Sequence, residues 1–232
     1  MPQKKRSEIR SISIADLTFP PREGGYAKGH DTREMILEAA LHLLVEEGYR
    51  AMTMRRIAAE SGLKLGNLTY HFPSREDLVM ALLDAVISGY QIEFDRIVHA
   101  SQASAEQRLF NICELILEDI RTKKTTRVFP ELWALSSHDH FVFERVHELY
   151  ARARAPLEEI ILEIRPDLPA DKRTAMALFI SASMEGLTVF AGYDKPFEGQ
   201  MHALERIATK AFIDLVRTIR ADEIPMDQSD FK

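Results

Sequence analysis

The chain has 232 residues and only one cysteine, Cys113, so no disulfide can close within it, which fits a reducing compartment such as the cytoplasm. It lacks any run of about 18 or more apolar residues, which argues against a transmembrane helix and a membrane partner. The basic N-terminus, MPQKKRSEIRSISIADL, has no long apolar segment behind its charges, which argues against a secretory signal. Neither a Gly-rich phosphate loop nor a nucleophile elbow occurs, and no catalytic set can be assembled, so an enzyme with a cofactor is not expected. His138, Asp139, His140 and His147 are the only grouping with metal-ligand chemistry. Positions two apart on a helix do not share a face, so this stretch reads as a surface turn capping the next helix, with no metal. Period-2 alternation is missing throughout, which excludes a substantial sheet.

An overall excess of positive charge is also missing. The formal net charge is −6, which on its own argues against a nucleic-acid partner. Distribution matters more than the sum. Residues 50–75 carry five basic side chains (Arg50, Arg55, Arg56, Lys64, Arg75) against Glu60 alone, whereas residues 81–232 carry 18 basic and 25 acidic ones. Such a molecule meets phosphate with one end and repels it with the other.

What is present is helix. Residues 1–30 are polar, with Pro20-Pro21 and Gly24-Gly25, and read as an arm or tail. A first helix is expected from Asp31-Thr32, with Glu34 completing a partial capping box, ending at Gly48. A second begins after Thr53 and stops at Gly62; a short third carries Leu65, Leu68 and Phe72 on its inner face and ends at Pro73. Ser74, with Asp77 three residues on, caps a long fourth helix reaching about residue 100. Further helices are expected over 104–122, 127–137, 140–164, 170–191 and 199–221, with Pro156 kinking or restarting its segment. The fold class is all-α: an arm or tail (1–30), a three-helix helix-turn-helix domain (31–78, the motif itself at about 53–72), a larger helical domain (79–222) and a tail (223–232).

The stretch TMRRIAAESGLKLGNLTYHF raises the functional question, because a good amphipathic helix ends after two turns and restarts as a very short one. Two short helices joined by a tight Gly turn form a helix-turn-helix, whose second helix fits the DNA major groove. Lys64, Asn67 and His71 lie opposite the apolar face, with Tyr70 beside them. Asn pairs bidentately with adenine and Lys reaches guanine acceptors or phosphate, while Tyr and His bond phosphate oxygens. Arg55 can reach a phosphate or a base edge, and Arg75 with the helix start at Ser74 forms a second phosphate site. Gly66 removes a side chain where α-helix meets either its bracing helix or a DNA backbone. The plainer alternative is a solvated polar face on a helical pair.

The segments TREMILEAALHLLVEEGYRAMTMRRIAAESG and GNLTYHFPSREDLVMALL resemble the TetR family of bacterial transcriptional regulators over about fifty residues. The resemblance implies double-stranded DNA as partner, an all-helical homodimer pairing through its last two helices, and a small-molecule pocket in the divergent regulatory region. It carries DNA contact to Thr53, Arg55, Lys64, Asn67, Thr69, Tyr70, His71 and Arg75. Thr69 stands where the family usually has Tyr, so Tyr70 takes over part of that role.

With that family in view, the doubly apolar segment 170–191 and the apolar stripe of 201–219 read as a dimer four-helix bundle, with Phe179, Ala182, Leu204, Phe212 and Leu215 at the interface; both could also be core helices of a monomer. A twofold dimer implies a palindromic operator. Phe129, Trp133, Phe141, Met184, Phe190 and Tyr193 are candidate pocket groups, Trp133 foremost because a buried indole N–H needs a partner. Each has ordinary hydrophobic packing as its alternative. The arm residues Lys4, Lys5, Arg6 and Arg10 either enter a minor groove or form a plain tail. The functional expectation is a cytoplasmic, ligand-responsive repressor that leaves its operator when a small organic molecule binds. The alternative is a DNA-organising protein of the same fold, controlled by a protein partner or by no ligand.

Overall fold

The structure is a computed structural model and describes residues 27–225; the expected arm contacts at Lys4, Lys5, Arg6 and Arg10 lie outside the described residues. Among the described residues there are nine α-helices and no strand: α1 (Ala27–Glu47), α2 (Met54–Glu60), α3 (Leu65–His71), α4 (Arg75–Val98), α5 (Ala105–Ile120), α6 (Lys123–Ser136), α7 (His140–Ile164), α8 (Ala170–Ala191) and α9 (Met201–Thr218). Short 3-10 turns follow α1, precede α9 and follow α9.

The caps are written in the sequence. Thr53, Ser74, Ser104, Thr122 and Asp139 each accept a backbone N–H from the first turn of the helix they precede. Ser74 and Asp77 form a reciprocal capping box, with bonds of 3.0 and 3.1 Å. Asp139, the acidic member of the histidine cluster, is the cap of α7.

Two starts differ from expectation. Asp31 and Thr32 lie inside α1, which is already helical at Ala27, so they do not cap it. The α6 helix begins at Lys123 rather than near residue 127, because Thr122 supplies the cap and Pro130 is absorbed inside the helix. Pro156 is likewise absorbed in an uninterrupted α7. Each proline removes one ladder hydrogen bond, a loss that a packed helix can carry.

Two apolar cores sit side by side. The first gathers Ile36, Leu41, Leu44, Ile57, Leu68 and Phe72 from α1–α3 with residues of α4, α6 and α7. The second joins α4, α5, α7, α8 and α9. Tyr90 packs against both, and α7 packs against α4, α5, α6 and α8. The α1–α3 helices therefore share one core with the larger region. The α8 helix is long and apolar enough to cross a membrane by length and composition. Met176, Ala177, Ile180 and Met184 bury one of its faces in the second core.

Candidate nucleic-acid interface and regulatory cavity

The turn between α2 and α3 explains the shape of the motif. Gly62 has φ +68°, a left-handed conformation that L side chains rarely adopt. The N–H of Leu63 bonds the Ala58 carbonyl at 2.8 Å and that of Gly62 bonds Ala59 at 3.1 Å. This Schellman pair closes α2 and redirects the chain into α3. Leu68 and Phe72 anchor α3 in the first core, being 0% and 1% exposed. Leu65, expected beside them, is exposed, because it is the first residue of a short helix and projects past the edge of the core. From α1, Arg33 donates to the His71 carbonyl at 2.9 Å and lies over the Phe72 ring at 4.2 Å. A cation thus closes the C-terminal end of α3, where the helix dipole favours positive charge.

The face this leaves outward carries Lys64, Gly66, Asn67 and Tyr70, all exposed, with Thr69 and His71 half-buried. Tyr70 is 80% exposed, an unusual position for an aromatic ring unless it meets something outside the chain. A Cβ on Gly66 would meet nothing within 4 Å, so no approach to the bracing helix requires glycine there. Thr53 uses its hydroxyl oxygen to cap α2 at 3.3 Å and keeps its O–H for another acceptor. Arg50 and Arg55 are exposed, whereas Arg56 is paired with Glu47. Arg75 is placed differently from the expected phosphate ligand. Its guanidinium donates to the Tyr49 carbonyl at 2.8 Å and stacks over the Tyr49 ring at 4.0 Å, so it braces the 3-10 turn.

Between α4, α5, α6, α7 and α8 lies a cavity of about 550 Å³, counting its open mouth. Tyr90, Phe94, Phe129 and Tyr150 supply its aromatic wall, with ring centroids 6.1–6.4 Å apart. Two carboxylates face it. Asp119, almost fully buried, accepts from the hydroxyls of Tyr90 and Thr125 and lies 3.5 Å from the Lys124 ammonium. Glu185 is held up at about 7, by burial first and by Asp119 in addition, with a hydrogen bond from Tyr150 acting against both. Burial also pushes Tyr90 upward. Glu185, Tyr150 and Trp133 wall a second cavity on the α8 side, and the Trp133 indole donates to the Tyr150 hydroxyl at 2.8 Å.

Of the six expected pocket residues, Phe129 and Trp133 line these cavities. The other four lie elsewhere. Met184 is buried in the second core and Phe141 packs against the first. Phe190 is 60% exposed on α8, and Tyr193 follows α8 with its N–H on Thr126. Sequence reading missed Tyr90, Tyr150, Asp119 and Glu185. A polar residue inside an otherwise apolar helical stripe, as at Asp119 and Glu185, was the available signal.

The α6 helix joins the cavity to the end of α1. Thr125, Phe129 and Trp133 point to the cavities. Lys123, Arg127 and Glu131 point to the end of α1: Lys123 pairs with Glu46, Arg127 donates to the Val45 carbonyl at 3.4 Å, and Glu131 accepts the Tyr49 N–H.

On the outer side, Leu178, Phe179, Val189 and Phe190 of α8 and Ile207 of α9 are large apolar groups at least half exposed, and Ala182 is exposed between them. Leu204 and Leu215 are half-buried. Phe212, expected at an interface, is 6% exposed and belongs to the chain's own second core, because the α9 stripe is wide enough to serve both.

Comparison with known proteins bears on both ends of the molecule. Residues 36–82 match a family model described as bacterial regulatory proteins, tetR family, and residues 105–214 match one described as the C-terminal part of BetI-type transcriptional repressors. The chain is 28% identical to an uncharacterized HTH-type transcriptional regulator of Xanthobacter autotrophicus, over 75% of this chain and 86% of that one. It is 25% identical to the HTH-type transcriptional regulator BetI of Escherichia coli, over 75% and 90%. Among solved structures it resembles Salmonella enterica GusR (TM-score 0.67, 19% identity, 81% of this chain and 96% of that one). It also resembles a transcriptional regulator of Saccharomonospora viridis in complex with choline (TM-score 0.60, 24% identity, 81% and 96%).

Proposed function

Because the chain belongs to the TetR family of bacterial transcriptional regulators, with a helix-turn-helix DNA-binding domain, we propose that it is a cytoplasmic homodimeric repressor released from a palindromic operator by a small organic ligand. The observation that carries this reading is the double role of α6, one face on the aromatic cavity and the other on the end of α1. In this reading a ligand that fills the cavity moves Phe129 and Thr125. The α6 helix moves with them, and Lys123, Arg127 and Glu131 carry the shift to α1. Arg33 then carries it from α1 to α3. Release follows when the ligand prefers a spacing of the two α3 helices that differs from the operator's.

Tyr70 and Thr53 hold phosphate in this scheme, Asn67, Lys64 and Arg55 read bases, and Thr69 and His71 pack along the groove wall. Arg75 acts through the turn it braces. The dimer forms through the exposed faces of α8 and α9, with Phe179 and Ala182 central and Leu204 and Leu215 at the margin. Choline in the Saccharomonospora viridis regulator supports a small-molecule ligand.

The test is selection of bound sequences from a random DNA pool by the purified protein at stated salt. A twofold-symmetric motif is expected, and it supplies the probe for a ligand screen. Salt-sensitive binding without an enriched motif would overturn the reading in favour of a DNA-organising protein.

A further inference from the structure

The two carboxylates of the cavity are not equivalent. Asp119 accepts from the Tyr90 and Thr125 hydroxyls through Oδ2, and its Oδ1, which has no hydrogen bond, lies 3.5 Å from the Lys124 ammonium, a charge that Glu185 has no counterpart for. Glu185 has the Tyr150 hydroxyl, which itself accepts from Trp133, while its Oε2 is sealed from solvent without a hydrogen-bond partner. A buried carboxylate oxygen left unmet is costly, and an ionised oxygen only accepts, so the group that meets the ionised form of Glu185 is a donor. Lys124 is committed to Asp119 and to the face of the Tyr90 ring, Arg152, at the cavity wall, is paired with Glu148, and Arg154, on the wall of the second cavity, makes no hydrogen bond to Oε2. The rings of Tyr90, Phe129 and Tyr150 add electron-rich faces, which attract a cation and cover an apolar stem.

We propose that the cavity is built for a protonated primary or secondary amine on an apolar stem, with Glu185 Oε2 accepting an N–H from the bound ammonium. This rests on the reading of the cavity as a ligand site, and narrows it. An anion would face Glu185 directly. A neutral alcohol forfeits the attraction to the ring faces and the ion pair. A quaternary ammonium satisfies the rings but has no N–H, so it leaves Oε2 as it found it. The N–H donor is therefore the discriminating feature.

The test is calorimetric titration of the purified full-length protein at neutral pH with four probes sharing one stem: 2-phenylethylamine, its N,N,N-trimethyl derivative, 2-phenylethanol and 3-phenylpropanoate. The amine should bind about ten- to a hundredfold more tightly than each of the others, the range expected for one charge-assisted hydrogen bond. Glu185→Gln should bring the amine down to the level of the trimethyl derivative while leaving the alcohol unchanged. Equal or tighter binding of the trimethyl derivative or the alcohol by the wild type, an amine preference over the trimethyl derivative that survives Glu185→Gln, or no binding of any probe would each overturn the proposal. The wild-type selectivity decides even if the variant folds poorly. Operator binding is measured in parallel. Amine binding that leaves operator affinity unchanged removes ligand-induced release and keeps the amine site. Release by another compound, without amine binding, does the opposite.

Discussion

At the scale of single residues, an exposed tyrosine and a buried glutamate make opposite commitments. Tyr70 holds a ring in water that only an outside partner repays. Tyr70→Ala should weaken binding to all DNA sequences alike and lower the slope of affinity against salt, whereas Asn67→Ala should relax base preference at one operator position; binding assays across salt and a sequence-preference profile separate the two effects. Glu185 has burial on its side of the balance. Its carboxyl is held at about 7 against an ordinary value of 4.5, so the folded chain keeps a proton that the unfolded chain loses between those values. Stability from this group is fully present below about 4.5, falls as pH rises to about 7, and is level beyond. The groups facing it are Tyr150, Arg152 and Arg154 on α7, Asp119 on α5, Lys124 on α6 and Tyr90 on α4. Relative to Glu185→Gln, the wild type should lose on the order of 3 kcal/mol between pH 5 and pH 8 in denaturant titrations. The outward residues of α3 were legible from sequence because they share one short helix. Glu185 and Tyr150 were not, since they are 35 residues apart and only the packing of α7 on α8 brings them together.

At the scale of elements, caps and turns were readable because their chemistry is local. Ser74 with Asp77 and Gly62 after α2 behave as their spacing implies. Gly62→Ala would add a Cβ that meets nothing within 4 Å, so its cost is purely that of the left-handed backbone, about 1 kcal/mol, which a denaturation midpoint would register. The start of α6 was less readable: the expected span of 127–137 already ran through Pro130, but the cap is Thr122 and the polar first turn Lys123–Thr126 carries no apolar stripe to announce it. That misreading hid the role of Lys123. The α6 helix is also where cavity and DNA end are joined, so Glu131→Ala, which frees the Tyr49 N–H, should leave ligand affinity nearly unchanged while reducing the ligand's effect on operator binding severalfold. A parallel loss of both would place the coupling elsewhere.

At the scale of the molecule, the all-α class followed from the missing strand pattern, but the division of labour among apolar faces did not. A stripe of apolar residues has the same period whether it meets its own core or a second copy. Phe179 and Phe212 look alike in sequence, yet one is 56% exposed and the other 6%. Phe179→Asp should therefore yield a folded monomer in sedimentation, whereas Phe212→Asp should fail to fold stably. A Phe179→Asp dimer would move the interface off α8.

The shortness of α3 has a consequence for information. Seven residues span roughly 10 Å, about three base steps of duplex. A word of three base pairs recurs roughly every 64 positions in random sequence, so one copy of this helix carries about six bits. A bacterial chromosome needs roughly twenty bits to name a single address. Two such words carry about twelve bits, so the rest of the address must lie in the spacing between them and in contacts outside α3, and a spacing is a quantity that a filled cavity can change without touching a base.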